Sequence, residues 1–255
     1  MFSDYHVHSE FSFDSEEKIS NIIKKAISLN MKQIAITDHH DFNWPVKGEA
    51  PLIDLPEYDS TISGFKHQYK NQIEIIKGIE LGLMDNCAEK YQYLFDHHSF
   101  DFVIGSCHII DNMDPYYSQF WENRDDRMAF ELYFNTLYNG LLSFNKIDTL
   151  GHFDYIVRYS PNKNSNYSVY DYTDIIDMIL KYIISNDIKL ELNTSNLAKE
   201  LDFINPHNDI IKRYKELGGS YVTIGSDAHK SQDIGCGFDF VKNIIDYYNL
   251  KIFTL

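Results

Sequence analysis

The sequence predicts an α/β fold in which parallel strands and crossover helices form one closed or nearly closed barrel. Two observations lead to this prediction. Strand-like and helix-like stretches alternate regularly along the 255 residues, and polar residues that can bind metal recur where the predicted strands end. No linker rich in Pro, Gly or Ser and no internal repeat interrupts the alternation. We therefore expect a single domain over residues 1–255.

Short apolar stretches bounded by polar residues are typical of buried strands. Seven such stretches occur, at 3–8, 33–37, 73–81, 101–108, 147–152, 188–193 and 220–226. Amphipathic stretches between them predict helices at 15–30, 123–144, 172–186 and 208–217.

The ends of two of these helices carry sequence signals. Ser15 and Asn208 are candidate helix starts, and Gly218-Gly219 is a candidate helix stop. Two longer segments, 42–63 and 158–171, are expected to be loops that shape or cover a site, or that are disordered.

The composition limits the classes of function. A hydrophobic content of 44%, with 17 Phe and 19 Tyr, can fill a sizeable core. No apolar run approaches 18 residues and the N-terminus opens directly into a strand pattern, so we expect neither a membrane span nor a signal peptide. The formal net charge of −15 argues against a dedicated nucleic-acid binder, although local cations could still hold a small anionic substrate.

The cysteines give no sign of a disulfide framework or a thiolate zinc site. Cys87, Cys107 and Cys236 are odd in number and show no C-x-x-C spacing. We expect a reducing, cytoplasmic location.

Pairs of metal-capable residues at i and i+2 occur near both ends of the chain. His6 and His8 lie on a short strand-like run, so both imidazoles should leave the same face and can bind one cation. Asp227 and His229 repeat this spacing. One H-x-H pair is weak evidence, because such pairs also occur by chance or as exposed polar groups. The matching pair at the far end favours a metal site.

Further polar residues follow the other predicted strands. The carboxyl ends of parallel strands in a barrel meet at one rim, so residues far apart in sequence should converge there. Each residue alone could be an ordinary loop histidine or a salt-bridge partner, but their recurrence predicts a polynuclear metal site. The residues concerned are Asp14, Asp38, His39, His40, Glu80, His108, His152, Asn193, Asp227 and His229.

Other histidines favour a structural interpretation. His97 and His98 precede a predicted strand, which places them at the opposite rim or in a surface turn, and His67 lies in a polar helix-like run. His207 lies near a helix start that could face the site, and we assign it no role.

The chain resembles the polymerase and histidinol phosphatase (PHP) superfamily in motifs spread over nearly its whole length. These are Asp-Tyr-His-Val-His-Ser at 4–9, Ile-Thr-Asp-His at 36–39, Gly-Ile-Glu at 78–80, Gly-Ser-Cys-His at 105–108, Gly-His-Phe-Asp at 151–154 and Gly-Ser-Asp-Ala-His at 225–229. Within the superfamily it is most similar to the stand-alone histidinol-phosphatase branch. That similarity rests on chain length, on Arg158 six residues after His152, on Glu-Leu-Asn-Thr-Ser at 191–195 and on the Gly-Gly before the last strand.

This resemblance implies a distorted seven-stranded (β/α) barrel, similar to a TIM barrel, that holds three divalent metal ions. Zn, Mn and Fe all suit mixed imidazole and carboxylate ligands, and the sequence does not choose among them. Some relatives have a histidine in place of Asp14. The implied ligands are His6, His8, Glu80 and Asp227 for one metal, Glu80, His108 and His152 for a second, and Asp14, His39 and His229 for a third, with Glu80 bridging the first two.

The implied reaction is hydrolysis of a phosphate monoester, with L-histidinol phosphate giving L-histidinol and phosphate in histidine biosynthesis. A metal-bound water held by Glu80, Asp227 and His229 would be the nucleophile. Arg158 would bind a phosphate oxygen through its planar guanidinium. A surface salt bridge is the alternative for Arg158.

Three further residues could orient the ligands from a second layer. Asp38, His40 and Asn193 are the candidates. Each could equally be an ordinary hydrogen-bonding group at the end of a strand.

One departure from the family leaves the substrate open. After residues 193–195, relatives often carry a glycine and a basic residue that helps to hold phosphate, whereas this chain continues Asn196-Leu-Ala198-Lys199. Either Lys199 takes that role or the pocket differs. The alternatives are a PHP phosphoesterase that acts on a nucleotide, another phosphorylated metabolite or phosphotyrosine, and a non-catalytic metal-binding module. The sequence does not determine the oligomeric state.

Overall fold

The computed structural model describes residues 3–46, 48, 50–199 and 201–255. Its central feature is a parallel sheet whose strands follow the order β1-β3-β4-β5-β6-β7-β8, with β2 paired to β3. The strands are β1 Gln33–Ile36, β2 His39–His40, β3 Glu74–Gly82, β4 Phe102–Ser106, β5 Thr149–Leu150, β6 Lys189–Asn193, β7 Tyr221–Gly225 and β8 Lys251–Ile252. Six of the seven predicted strands correspond to members of this sheet.

The N-terminal segment, residues 4–8, joins the two sides of the curved sheet. Asp4 forms a parallel bridge to Ile34 beside β1, and Val7 forms one to Ala228 beyond β7. The Tyr5 amide also donates to the Ile224 carbonyl at 3.0 Å. The predicted strand 3–8 is therefore wrong as a regular element, because the described residues form isolated bridges. Since the segment pairs on both sides, the predicted barrel-like α/β fold is confirmed.

Helices connect the successive strands from β2 to β8, as parallel pairing requires. They are α1 Ile19–Ser28, α2 Leu55–Tyr69, α3 Ala88–His97, α4 Ser118–Trp121, α5 Asp126–Ser143, α6 Thr173–Ser185, α7 Ser195–Ala198, α8 Asn208–Glu216 and α9 Phe238–Tyr248. The four predicted helices correspond to α1, α5, α6 and α8, with ends that differ by a few residues. The predicted loop 158–171 contains short 3-10 turns at Lys163–Asn166 and at Val169–Tyr172.

The predicted loop 42–63 is wrong from Leu55 onward, where α2 begins. The Asp54 carboxylate caps this helix by accepting from the Glu57 amide at 3.1 Å. Pro56 lies in the first turn, where its missing N–H costs no helical hydrogen bond. Tyr58 and Ile62 are buried and anchor α2 to the barrel. Positions 47 and 49 of the predicted loop lie outside the described residues.

The predicted helix stop after α8 is confirmed. Gly218 adopts φ 99°, and the amides of Gly218 and Gly219 donate to the carbonyls of Lys215 and Tyr214, which is a Schellman motif. One of the two predicted helix starts is wrong, because α1 begins at Ile19 rather than near Ser15. The other is confirmed, because α8 begins at Asn208, and His207 caps it by accepting from the Asp209 amide at Nδ1.

Apolar side chains fill the barrel near the amino ends of its strands. Tyr5, Ala35, Ile76, Phe102 and Ile104 form this cluster, against which Phe253 packs. The Tyr5 hydroxyl donates to Gln33 and accepts from the Leu255 amide. This apolar cluster closes the amino end of the barrel, opposite the carboxyl-end rim.

Two composition-based expectations can be compared with the structure. The three cysteines are free, as the sequence predicts. Among the described residues, no helix is both long enough and apolar enough to cross a membrane.

Candidate metal centre

All nine predicted ligands lie at the carboxyl-end rim of the barrel. His39 lies in β2 and pairs in register with Glu80 of β3, so the strand ladder itself places these side chains together. His108 and His152 each lie two residues beyond a strand, β4 and β5. The other five come from the N-terminal segment, the loop after it and the loop after β7: His6, His8, Asp14, Asp227 and His229.

Two histidines and two carboxylates form a first cluster. The Nε2 atoms of His6 and His8 lie 3.2 and 3.5 Å from Glu80 Oε2. His8 Nε2 is also 3.3 Å from Asp227 Oδ1. Asp227 has a φ of 52°, a left-handed conformation that is uncommon for residues other than glycine. This backbone turn directs the Asp227 carboxylate back over the rim.

The other Glu80 oxygen faces a second cluster. His152 Nε2 lies 2.9 Å and His108 Nε2 lies 3.3 Å from Glu80 Oε1. The two imidazole nitrogens are 3.4 Å apart. Since each oxygen of Glu80 serves a different cluster, this carboxylate has the geometry of a bridging ligand.

A third cluster lies closer to solvent. Asp14 Oδ2 is 3.0 Å from His229 Nε2 and 3.5 Å from His39 Nε2. The His8 ring stacks between those of His39 and His229, with centroid distances of 4.2 Å to each. The His8 ring therefore belongs to the first cluster and also borders the third, which is the cluster closer to solvent.

The donor atoms of these clusters fit divalent cations. Among the described residues, His6 Nε2, His8 Nε2, His39 Nδ1 and Glu80 Oε2 are buried without a hydrogen-bond partner. Burial of unpaired polar atoms is unfavourable, and buried carboxylates are normally paired or coordinate metal. Four sets of nitrogen and oxygen donors meet these requirements: His6, His8 and Glu80; Glu80, His108 and His152; His8, His39 and His229; and His39, Asp41 and His108.

The outward nitrogens of several ligands are held by hydrogen bonds. His6 Nδ1 donates to Glu191 Oε1 at 2.6 Å, and His108 Nδ1 donates to Asp41 Oδ1 at 2.7 Å. His229 Nδ1 donates to a backbone carbonyl at 3.0 Å. These bonds select the tautomer whose Nε2 lone pair faces the centre, which is the usual arrangement around a metal.

Sequence reasoning missed Glu191 and Asp41 as site residues. Glu191 lies two residues before Asn193 on β6 and shares its face of the strand. Asp41 directly follows His39-His40. Period-two alternation could have identified Glu191, but no local pattern relates Asp41 to His108.

Asp38 acts on the ligands through Ser12. The Ser12 hydroxyl donates to Asp38 Oδ1 at 2.7 Å. Its oxygen accepts from His8 Nδ1 and from the His39 amide, both at 3.0 Å. One hydroxyl thus connects ligands of the first and third clusters.

The other two candidates for the second layer, Asn193 and His40, differ in whether they contact a residue that holds a ligand. Asn193 donates to Glu191 Oε2 at 3.1 Å, so it supports the carboxylate that holds His6. His40 packs edge-to-face on Phe42. Among the described residues, His40 forms neither a hydrogen bond nor a ring contact with a predicted ligand, so the structure lends no support to an orienting role.

Arg158 is buried beside the first cluster, which excludes the surface salt bridge considered above. Its Nε donates to Asn196 Oδ1 at 2.7 Å, and its Nη2 donates to the Ser195 hydroxyl. The same Nη2 lies 3.6 Å from Asp227 Oδ2. Burial disfavours the cation, but Tyr159 and Asp227 hold the pKa of Arg158 above its ordinary value, so the guanidinium stays charged.

A chain of buried amides fixes the Arg158 guanidinium. Asn196 Nδ2 donates to Asn205 Oδ1 at 2.9 Å, and Asn205 Nδ2 donates to Asp154 Oδ1 at 2.6 Å. Asn196 is the position at which the sequence departs from the expected glycine. Here its side chain orients Arg158.

Electrostatics favour ionised carboxylates at the rim. Burial opposes ionisation of Glu80, but the His6, His108 and His39 imidazoles hold its pKa well below the usual range. Burial, reinforced by His39, lowers the pKa of His8 to about 3, so this ring is neutral and can offer a lone pair. At His6 and His39 burial opposes the cation, but the Glu191 and Asp14 carboxylates raise the pKa of these rings well above the ordinary value, so metal binding there would release protons.

A cavity of about 650 Å³ opens directly above the clusters. Arg158 and Lys199 line it, together with six aromatic residues: Phe13, Trp44, Tyr116, Tyr117, Tyr155 and Tyr159. A small phosphorylated molecule can therefore place its phosphate at the clusters and its organic part against aromatic rings.

Histidine and carboxylate clusters converge at the carboxyl-end rim of this barrel. Together, the fold and the site define the class of metal-dependent hydrolases. The PHP domain model matches residues 4–195. The chain belongs to the PHP family, and the predicted family is confirmed.

Several relatives extend this similarity over nearly the whole chain. A probable histidinol-phosphatase of Clostridium acetobutylicum is 34% identical over 251 residues, covering 98% of this chain and 95% of the relative. The histidinol-phosphatase of Lactococcus lactis is 31% identical over 227 residues, covering 89% and 83%.

Solved structures agree with the fold. The crystal structure of the Lactococcus lactis histidinol phosphate phosphatase, complexed with zinc, L-histidinol and phosphate, superimposes with a TM-score of 0.88 at 27% identity. The superposition covers 99% of this chain and 96% of the Lactococcus lactis chain. A putative histidinol phosphatase from Listeria monocytogenes shares the fold, with a TM-score of 0.79 at 21% identity.

Proposed function

We propose that this protein hydrolyses L-histidinol phosphate to L-histidinol and inorganic phosphate, and that residues 1–255 form one catalytic unit. The observation that carries the proposal is the full-length similarity to the Lactococcus lactis enzyme, which binds zinc, L-histidinol and phosphate. The donor clusters and the buried Arg158 beside them support it, because they supply the groups that phosphate-ester hydrolysis requires.

Three divalent cations would be held by the three clusters described above, with Glu80 between the first and second. When bound at such sites, divalent cations activate water for attack and offset charge on phosphoryl oxygens. Zinc suits the nitrogen-rich donor set, as do manganese and iron. The number and identity of the ions belong to the proposal.

The protein's own residues orient the substrate. Arg158 donates to a phosphoryl oxygen, and its remaining contacts to Asn196 and Ser195 fix the plane of the guanidinium. Asp227 has one oxygen toward His8 and the other toward Arg158, so it sets the spacing between the first cluster and the phosphate position. The aromatic side chains that line the cavity would pack against the organic part of the substrate.

Steady-state phosphate release tests the proposal. Metal-reconstituted protein is assayed on L-histidinol phosphate and on a panel of nucleotides, sugar phosphates and phosphotyrosine. We expect the highest kcat/KM with L-histidinol phosphate. A clear preference for another ester would assign a different PHP phosphatase, and release that a chelator does not affect would contradict the metal mechanism. Absence of activity on every ester would favour the non-catalytic module. The cytoplasmic location expected from the sequence stays a prediction.

A further inference from the structure

Asp41 is a buried carboxylate whose charge partners are histidines of the candidate centre. Its side chain is 3% exposed and lies at the end of β2. Oδ1 accepts from His108 Nδ1 at 2.7 Å, while Oδ2 lies 3.6 Å from His39 Nδ1. Within the described parts of the chain, no lysine or arginine is at ion-pair distance from Asp41. Burying a carboxylate without a permanent cation is costly, so a specific use is expected.

The neighbouring strand is shaped to accept this carboxylate. β2 pairs with β3 so that His40 faces Leu81, which brings Gly82 beside Asp41. A Cβ atom at Gly82 would lie only 1.9 Å from Asp41 Oδ1 and 2.7 Å from its Cγ. Any other residue at position 82 would therefore displace the carboxylate from His108.

The His108 ring packs edge-to-face against His39 and Tyr155, but these apolar contacts do not select its tautomer. Its Nδ1 is held by Asp41, and its Nε2 lies within 3.4 Å of both Glu80 and His152. Without the Nδ1 bond, the ring could take the other tautomer or rotate, and Nε2 would no longer offer its lone pair to the second cluster.

We propose that Asp41 is the positioning residue of the second cluster, holding His108 in the tautomer and orientation that bind metal there. Its other oxygen, Oδ2, has no hydrogen-bond partner among the described residues and lies 3.6 Å from His39 Nδ1. The role is one of positioning, because Asp41 acts through His108. The inference rests on the proposed metal centre.

Asp41→Asn tests this inference, with metal retention rather than activity as the readout. The variant keeps the size of the side chain but removes its charge. Metal content is measured by mass spectrometry during titration with a chelator. We expect the affinity for one class of bound metal to fall by about 10–100-fold, which is the usual effect of removing a residue that orients a ligand. The other bound metals should titrate as in the parent.

Gly82→Ala is an independent variant that retains the carboxylate but moves it. We expect the same metal class to weaken. Asp59→Asn is the matched control, because Asp59 also pairs with a histidine, His98 at 3.2 Å, but away from the rim. Its metal retention should equal that of the parent.

Unchanged chelator titration in Asp41→Asn would overturn the inference. If that variant does not fold, Gly82→Ala decides the question by the same criterion, since its carboxylate remains. ¹⁵N spectra of the histidine rings add a second readout in Asp41→Ala, which leaves no acceptor for His108 Nδ1, so the ring should lose its fixed tautomer. Metal retention is scored separately from phosphate release, so a protein inactive on L-histidinol phosphate would end the proposed function without deciding the role of Asp41.

Discussion

The two ends of the barrel bury side chains of opposite character within the same strands. At the amino end, Tyr5 and Phe102 pack edge-to-face at 4.9 Å, and the Tyr5 hydroxyl has both a donor and an acceptor partner. At the carboxyl end, His6, His8 and Glu80 are equally buried but retain unpartnered atoms. The polar atoms at the amino end are hydrogen-bonded within the protein, whereas those at the carboxyl end are available to a ligand.

This difference separates stability from function along a single strand. β3 carries Glu74 at its start, where it is exposed and accepts from Gln33, and Glu80 near its end, where both oxygens face histidines. Substitutions at the amino end should change the free energy of unfolding, and those at the carboxyl end should change metal binding and turnover. Four predictions test that division.

Glu80→Gln should have the largest effect. Loss of the charge removes a donor shared by two clusters, and we expect kcat/KM to fall by about 10³-fold, the scale of losing a main electrostatic contact. Metal content should fall as well. Glu74→Gln on the same strand is the control and should retain parental kinetics. If Glu80→Gln retained the parental kcat/KM, Glu80 would not be a ligand shared by the two clusters.

Phe102→Ala should produce the largest loss of stability. Removing a fully buried ring leaves a cavity at the amino end, and we expect about 3–5 kcal/mol of destabilisation. Thermal unfolding should show a Tm lower by about 10 °C, as expected for a chain of this size. Metal content and KM of the folded variant should match the parent. Selective metal loss would show that the two ends are coupled.

Arg158→Ala should raise KM by about 10²-fold, because one charge-assisted contact to phosphate is lost. Its metal content should stay parental, since Arg158 is not among the donors. Arg213→Ala is the control, as Arg213 pairs with Asp177 on the outer surface of the barrel. Unchanged kinetics in Arg158→Ala would remove its phosphate role.

Lys199→Met should have the smallest effect, a rise in KM of about 3-fold at pH 7, typical of a rim charge. Partial burial at the cavity, reinforced by Arg158, lowers the pKa of Lys199 to about 8. The cation is therefore present below pH 8 and lost above it, so the difference from the parent should vanish near pH 9. Lys189→Met is the control, since Lys189 lies over Phe253 at the amino end. A difference that persists at high pH would contradict the charge mechanism.

Several errors in the sequence prediction have local physical reasons. The segment 42–63, which contains three of the six prolines, was predicted as a loop, yet Pro56 in the first turn is compatible with α2 once Asp54 caps it. The 3–8 segment was predicted as a regular strand because its apolar pattern suits one. It instead pairs alternately with β1 and β7, which its own residues do not specify.

The sequence by itself determined the barrel class and the positions of the nine candidate ligands. Strand periodicity and the convergence of parallel strand ends place His6, Glu80, His108 and Asp227 at one rim without any knowledge of their contacts. That inference needs only local pattern and general topology.

Only the tertiary structure decided which atoms face one another. The bonds from His108 to Asp41 and from Arg158 to Asn196 join residues 67 and 38 positions apart. Such pairs depend on strand register, on ring orientation and on the space left by Gly82, and no sequence period encodes these. The candidate ligands, with Asp38 and Asn193, could therefore be predicted from the chain, whereas Asp41, Glu191 and Asn196 emerged only from the packing of distant segments.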